Sequence, residues 1–247
     1  LLKSAKTYAD ILRDSEINKG DVCAIIFKHN PEFYPIYLAV VSIGAIPAVL
    51  AYPNPRLHPE KFVQGIEGMS QRSGLDWILT DSPIGSIIQP YINKNKNTIR
   101  GFIYPIELLK SKSHTSSQPQ IYSPGENIVR PEDPLLLQHS SGTTGLQKPV
   151  LLSNKAVIDH VRVYSKALQI SSDDKIVSWL PLYHDMGLIA AFHLPLICGI
   201  PTIQIDPFEW VLAPILLLEA ITKEKATLTW LPNFAYNLMA DKIPDDY

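Results

Sequence analysis

Cysteine is scarce in this 247-residue chain: Cys23 and Cys198 are the only two. Two thiols cannot frame a secreted disulfide scaffold, and both sit in apolar runs that read as buried and reduced. No Cys or His pairing has metal-ligand spacing, so the seven histidines do not point to zinc. Net charge is small, −2, and no basic stripe is present, which argues against a nucleic-acid surface. An uninterrupted apolar run of membrane length is also missing. The most apolar window, 187–205, is broken by His193, Pro195, Gly199, Pro201 and Gln204, so helix, turn and buried strand are expected in place of a membrane span. No repeat at solenoid spacing is visible. The start, Leu1-Leu2-Lys3-Ser4, has neither a methionine nor the basic-then-apolar layout of a signal peptide. A cytoplasmic location and a longer natural N-terminus are therefore expected.

What is present is ordinary for a globular protein: 46% hydrophobic and 19% charged residues, on a chain long enough for a substantial core. Strand and helix patterns alternate almost throughout. Thr7 is placed to cap a helix to Leu12, Val22–Phe27 reads as a buried strand, and Pro31 starts a helix that Gly44 ends. Ile46–Leu50 and Asp76–Thr80 read as further strands around a helix from Glu60 to about Met69. This alternation predicts an α/β fold of layered, mainly parallel sheets covered by helices. Residues 111–133, rich in serine and bearing prolines, read as a polar connector between two α/β halves of one domain, 1–110 and 134–247.

The most informative stretch is 138–150, Gln-His-Ser-Ser-Gly-Thr-Thr-Gly-Leu-Gln-Lys-Pro-Val. Apolar runs at 135–137 and 150–152 enclose it, so it reads as strand, loop, strand. Gly142 and Gly145 allow successive N–H groups to converge on one centre. Ser140, Ser141, Thr143 and Thr144 add hydroxyl donors, and Lys148 adds a positive charge. The natural guest is a polyphosphate. The spacing is not that of the common P-loop, since Pro149 stands where Ser or Thr must follow the lysine. The same composition also fits a flexible turn.

Two further segments carry chemistry. In 177–188, Val-Ser-Trp-Leu-Pro-Leu-Tyr-His-Asp-Met-Gly-Leu, an apolar strand ends at Pro181 and a loop presents Tyr183, His184 and Asp185. Gly187 and Leu188–Ile197 then begin a buried helix. An imidazole at a strand's carboxyl end is placed to meet a carboxylate substrate, although a structural His–Asp contact is the plainer alternative. In 229–238, Asn233 reads as a helix cap, with Phe234 and Tyr236 either core or pocket lining.

These segments resemble the adenylate-forming superfamily of acyl-CoA synthetases, peptide-synthetase adenylation domains, luciferases and fatty acyl-AMP ligases. Ser140–Lys148 is similar to its phosphate loop, S/T-S/T-G-S/T-S/T-G-x-P-K-G, with Gln147 replacing the proline and Pro149 the final glycine. Residues 179–188 resemble the W-L-P-x-x-H-D-M-G-L signature of the fatty acyl-AMP ligases, and Pro232-Asn233-Phe234-Ala235-Tyr236 resembles the segment beside their acyl pocket. The resemblance implies ATP-dependent activation of a carboxylic acid, a fatty acid in the first instance, to an acyl-adenylate, with ATP and Mg2+ as cofactors. It assigns Ser140, Ser141, Gly142, Thr143, Thr144, Gly145 and Lys148 to the phosphates, with Lys148 catalytic. His184 is the second catalytic residue, and His184, Asp185, Met186, Gly187 and Phe234 are assigned to the acid. An acyl carrier protein or CoA is the implied acceptor.

The family's adenine, ribose and magnesium motifs and its closing lysine domain do not occur in these 247 residues. The chain therefore reads as part of a large N-terminal AMP-binding domain, inactive on its own. An acyl-CoA or aryl-CoA ligase is the alternative, and a non-catalytic nucleotide-binding module, favoured by Gln147 and Pro149, is a second.

Overall fold

The computed structural model describes residues 1–53, 58–112, 129–140 and 148–244. The chain divides into two compact units, Leu1–Asn154 and Lys155–Tyr247. β5 (Pro134–Ser140) belongs to the first unit and sends Leu137 into its core beside Ala24, Ile26, Ala48 and Ile78.

The first unit opens with α1 (Leu2–Asp14), β1 (Val22–Ile26), α2 (Phe33–Ser42) and β2 (Ile46–Val49). It continues with α3 (Pro59–Ser73), β3 (Leu75–Thr80), α4 (Ser82–Ile88), β4 (Gly101–Ile103) and α5 (Pro105–Lys112). Among the described residues β1–β4 form one sheet in the order β2-β1-β3-β4, and every pair is parallel. The strands read Val-Cys-Ala-Ile-Ile, Ile-Pro-Ala-Val and Leu-Asp-Trp-Ile-Leu-Thr, the near-continuous apolar runs of strands covered on both faces. The sheet's core is closed by Val63 and Ile66 of α3 and Ile84 and Ile88 of α4. Gly44, φ +78°, turns the chain from α2 into β2, as the sequence suggests. Thr7 is not a cap: α1 begins at Leu2, and the Thr7 hydroxyl donates back to the Lys3 carbonyl at 3.2 Å inside the helix.

The amino ends of the parallel strands are tied by charge. Asp21, Asp76 and Arg100 stand just before or at the starts of β1, β3 and β4. Arg100 pairs with Asp21, and with Asp76 at 3.2 Å. The Trp77 indole and the Asn18 amide donate to Asp21 at 3.1 and 2.9 Å. Burial pushes the Asp21 carboxyl up, but the Asn18 N–H, the Arg100 guanidinium and the Trp77 indole together hold it below the usual carboxylate range. A depressed folded value contributes stability above the ordinary carboxylate range, and that stability is lost as pH falls through the folded value. Arg100→Ala is therefore expected to cost about 1 kcal/mol at neutral pH and much less near pH 2. Urea midpoints at the two pH values test this. Equal losses at both would mean that Arg100 acts only by packing over Trp77, 5.0 Å away.

β5 pairs antiparallel with β6 (Lys148–Ser153), after which α6 (Asn154–Ala167) begins. The second unit continues with β7 (Ile176–Ser178), α7 (Asp185–Leu188), a π-helical turn (Ile189–His193) and α8 (Leu194–Cys198). It ends with β8 (Thr202–Gln204), α9 (Pro207–Leu212), α10 (Ile215–Glu224) and α11 (Asn233–Lys242). β7 and β8 are parallel. Their core is Val177, Trp179, Leu180, Trp210, Leu217 and Ala235. The helix expected over Leu188–Ile197 is thus interrupted by the wider turn. Cys198 is partly exposed, unlike Cys23, which is buried. No helix among the described residues is long and apolar enough to cross a membrane.

Candidate active site

In the first unit the hairpin β5–β6 presents the phosphate-loop candidates. The ladder sets Ser140 opposite Lys148 and His139 opposite Pro149, so the two described ends of the loop meet at the hairpin's mouth. Both are exposed, and a hydroxyl and an ammonium side by side suit a phosphate oxygen. Ser141, Gly142, Thr143, Thr144, Gly145 and Gln147 lie outside the described residues. Pro149 is part of β6. Among the described residues that strand pairs only with β5, and an edge strand is where a sheet accommodates proline.

The hairpin's register is held from beneath. Along β5, Leu136, Leu137 and His139 are buried and Ser140 is exposed. His139 Nε2 lies 2.9 Å from Ser73 Oγ at the end of α3. The same hydroxyl donates to the Met69 carbonyl at 2.6 Å. Burial holds the His139 pKa below its ordinary value. The sequence reading did not single out His139. Its signal is a histidine on the inward face of the strand entering the hydroxyl cluster.

In the second unit the segment after β7 makes a tight turn. His184 N–H donates to the Pro181 carbonyl at 3.1 Å, and the His184 carbonyl accepts from Leu188 N–H at 2.8 Å. His184 is the extended residue before α7, and its ring faces that of Tyr183 at 5.0 Å. Burial, then the charge of Asp206, raises the Tyr183 phenol above its ordinary pKa. His184, Asp185 and Met186 are exposed; of the residues expected in the loop, Tyr183 is partly exposed and Asp185 already belongs to α7. The Asp185 carboxylate accepts from the Met186 amide at 2.7 Å. Gly187 serves the shape of the turn. It is buried, and a Cβ there would lie 2.3 Å from the Pro181 carbonyl oxygen. Its absence of a side chain lets the turn close.

The aromatic segment is assembled around an indole pair. Trp179, just past β7, stacks on Trp210 of α9 with centroids 3.7 Å apart and planes 4° from parallel. Phe234 meets Trp179 edge-on at 6.0 Å, while Phe234 and Tyr236 remain more than half exposed. Pro232, not Asn233, occupies the cap position of α11, and Asn233 is its first helical residue. Phe192 is buried. No group of three His, Cys, Asp or Glu side chains able to hold a metal occurs among the described residues.

Three known proteins are informative. The chain is 25% identical over 232 residues to the long-chain-fatty-acid–AMP ligase FadD26 of Mycobacterium marinum, covering 92% of this chain and 38% of that one. It is 28% identical over 178 residues to the medium-chain-fatty-acid–[acyl-carrier-protein] ligase TtuA of Teredinibacter turnerae, covering 70% and 28%. A fatty acyl-adenylate ligase from Legionella pneumophila, solved with acyl adenylate and pyrophosphate, superposes with a TM-score of 0.81 at 27% identity, over 98% of this chain and 40% of that one. The chain thus spans two fifths or less of each of these relatives. The mixed α/β architecture and the parallel sheet expected from sequence are those of this fold. The model of the AMP-binding enzyme family matches residues 1–246, and the chain belongs to that family.

Proposed function

We propose that the protein carrying this chain activates a fatty acid with ATP, giving an acyl-adenylate and pyrophosphate. The observation that carries the reading is the Ser140–Lys148 pairing at the mouth of a Ser/Thr/Gly hairpin. Lys148 and the loop from Ser140 to Gly145 hold the β- and γ-phosphates and stabilise the charge that collects on departing pyrophosphate. His184 orients the carboxylate that attacks the α-phosphate. Met186 and Phe234, both exposed, offer apolar surface to the acyl chain. The apolar character of these side chains favours a fatty acid over an amino acid. A carrier-protein thiol is the acceptor we favour, in keeping with the name of the Teredinibacter relative, and the cytoplasm is the proposed location.

Acid-dependent ATP–pyrophosphate exchange by the full-length gene product tests this. Lys148→Ala is expected to lower exchange roughly ten- to a hundredfold, since a charge-assisted contact is worth on the order of 1.5–3 kcal/mol, while the KM for acid stays unchanged. His184→Ala is expected to raise the KM for acid and to lower the rate. With CoA present, acyl-adenylate should still accumulate. Rapid, stoichiometric acyl-CoA formation would transfer the protein to the CoA-ligase class, and no exchange at all would leave a nucleotide-binding module.

A further inference from the structure

The helix that follows the His184 turn is not continuous, and Pro195 is the cause. A proline has no N–H to offer the carbonyl four residues before it, which here belongs to Ala191. The chain answers with a wider turn over Ile189–His193, in which Leu194 N–H reaches the Ile189 carbonyl five residues back. Such turns are rare and need local support. The Ala191 carbonyl receives it from outside the helix: Thr202 Oγ1 donates at 3.3 Å and Gln204 Nε2 at 3.1 Å. Both side chains come from β8. Residues two apart on a strand share a face, so one face of β8 grips this carbonyl. Ile203, on the other face, packs on the tryptophan core. Gln204 is also the ladder partner of Ser178 at the end of β7, the strand that leads into the His184 turn.

We infer that Thr202 and Gln204 are positioning residues for His184. A π-helical turn holds one residue more than an α-turn, and each helical residue turns the chain by about 100°. The wide turn therefore sets which way Asp185–Leu188 faces relative to α8. The opposite end of that segment is fixed by Gly187 against Pro181. Strand β8 holds one end and the Pro181 carbonyl the other, and His184 lies at the amino end of the segment so held. The part of this inference that concerns acid binding rests on the proposed role of His184.

The test uses the full-length protein with Thr202→Val and Gln204→Leu combined, which removes both donors and nearly preserves side-chain size. Amide hydrogen exchange over 185–194 is expected to quicken roughly tenfold, with exchange in the first unit's sheet unchanged. The KM for acid is expected to rise several-fold and the KM for ATP to hold, a split that a merely structural loss of folded protein would not produce. Adding Pro195→Ala supplies the N–H that proline lacks, and the new amide at residue 195 should exchange slowly as it bonds the Ala191 carbonyl; a fast-exchanging amide there overturns the part given to Pro195. Unchanged exchange over 185–194 in the double variant overturns the inference whatever the activity. Quickened exchange with an unchanged KM for acid also overturns it, provided that His184→Ala raises that KM. If His184→Ala leaves the KM unmoved, the acid-binding reading is what has failed, and the exchange result decides the positioning role alone.

Discussion

Trp210→Ala is expected to destabilise the second unit by about 3–5 kcal/mol, the range for deleting a large aromatic from a core. Trp210 is wholly buried and Trp179 is 4% exposed, and the two rings lie flat on one another. Removing one leaves a cavity against the other, bounded by Leu217 and Ala235 of two further helices. A second observation sharpens the expectation. Neither indole N–H has a hydrogen-bond partner among the described residues, and an unpaired buried donor costs on the order of 1–3 kcal/mol. Trp210→Phe retains a stacked ring and removes one such donor, so it should fall within about 1 kcal/mol of the parent despite its smaller area. Denaturant unfolding followed by circular dichroism measures both. A loss below about 1 kcal/mol for the alanine variant would show that the stack is not what holds α9 and α11 to β7.

The second large effect is expected at Gly187. A methyl group there would stand 2.3 Å from the Pro181 oxygen and 2.9 Å from its carbon, with the Leu180 oxygen at 3.1 Å. All three obstacles are backbone, so no rotamer change relieves the clash, and the turn itself must open. Gly187→Ala is expected to cost on the order of 3 kcal/mol, the upper part of the overpacking range. It should also carry His184 away from its place by breaking the 3.1 Å bond between His184 N–H and Pro181. Thermal melts and the KM for acid, measured on the full-length protein, separate the two consequences. A variant with parental stability and parental KM would mean that the turn opens freely and does not position His184. The assignment of Gly187 to the substrate would then lose its physical basis too, since that basis is the shape of the turn.

Much of this protein was legible in its sequence because the relevant signals are local. Continuous apolar runs such as Val22–Ile26 mark strands covered on both faces, and Gly44 marks the turn that ends a helix. Interruptions such as Pro195 and Gly199 deny the apolar window 187–205 a membrane span. Each of these is decided by side-chain chemistry within a few residues. The local reading failed where a neighbour distant in the chain decided the matter. Thr7 looks like a cap, but the helix extends past it to Leu2, with Tyr8, Ile11 and Leu12 buried along one face. Leu137 of β5 joins a core whose other buried members lie between Ala24 and Ile99, a partnership that no local signal announces.

What only the tertiary structure decided is which residues meet. The strand order β2-β1-β3-β4 brings Asp21, Asp76 and Arg100 together. The antiparallel register sets Ser140 against Lys148 and turns His139 inward to Ser73. Packing lays Trp179 on Trp210, thirty-one positions apart (210 − 179), and brings two side chains of β8 to the carbonyl that Pro195 leaves free. Composition and periodicity fix what a segment is, because propensity and burial act within the segment. Register and side-chain partnership depend on the free energy of surfaces brought together from afar, and those surfaces exist only once the chain has folded.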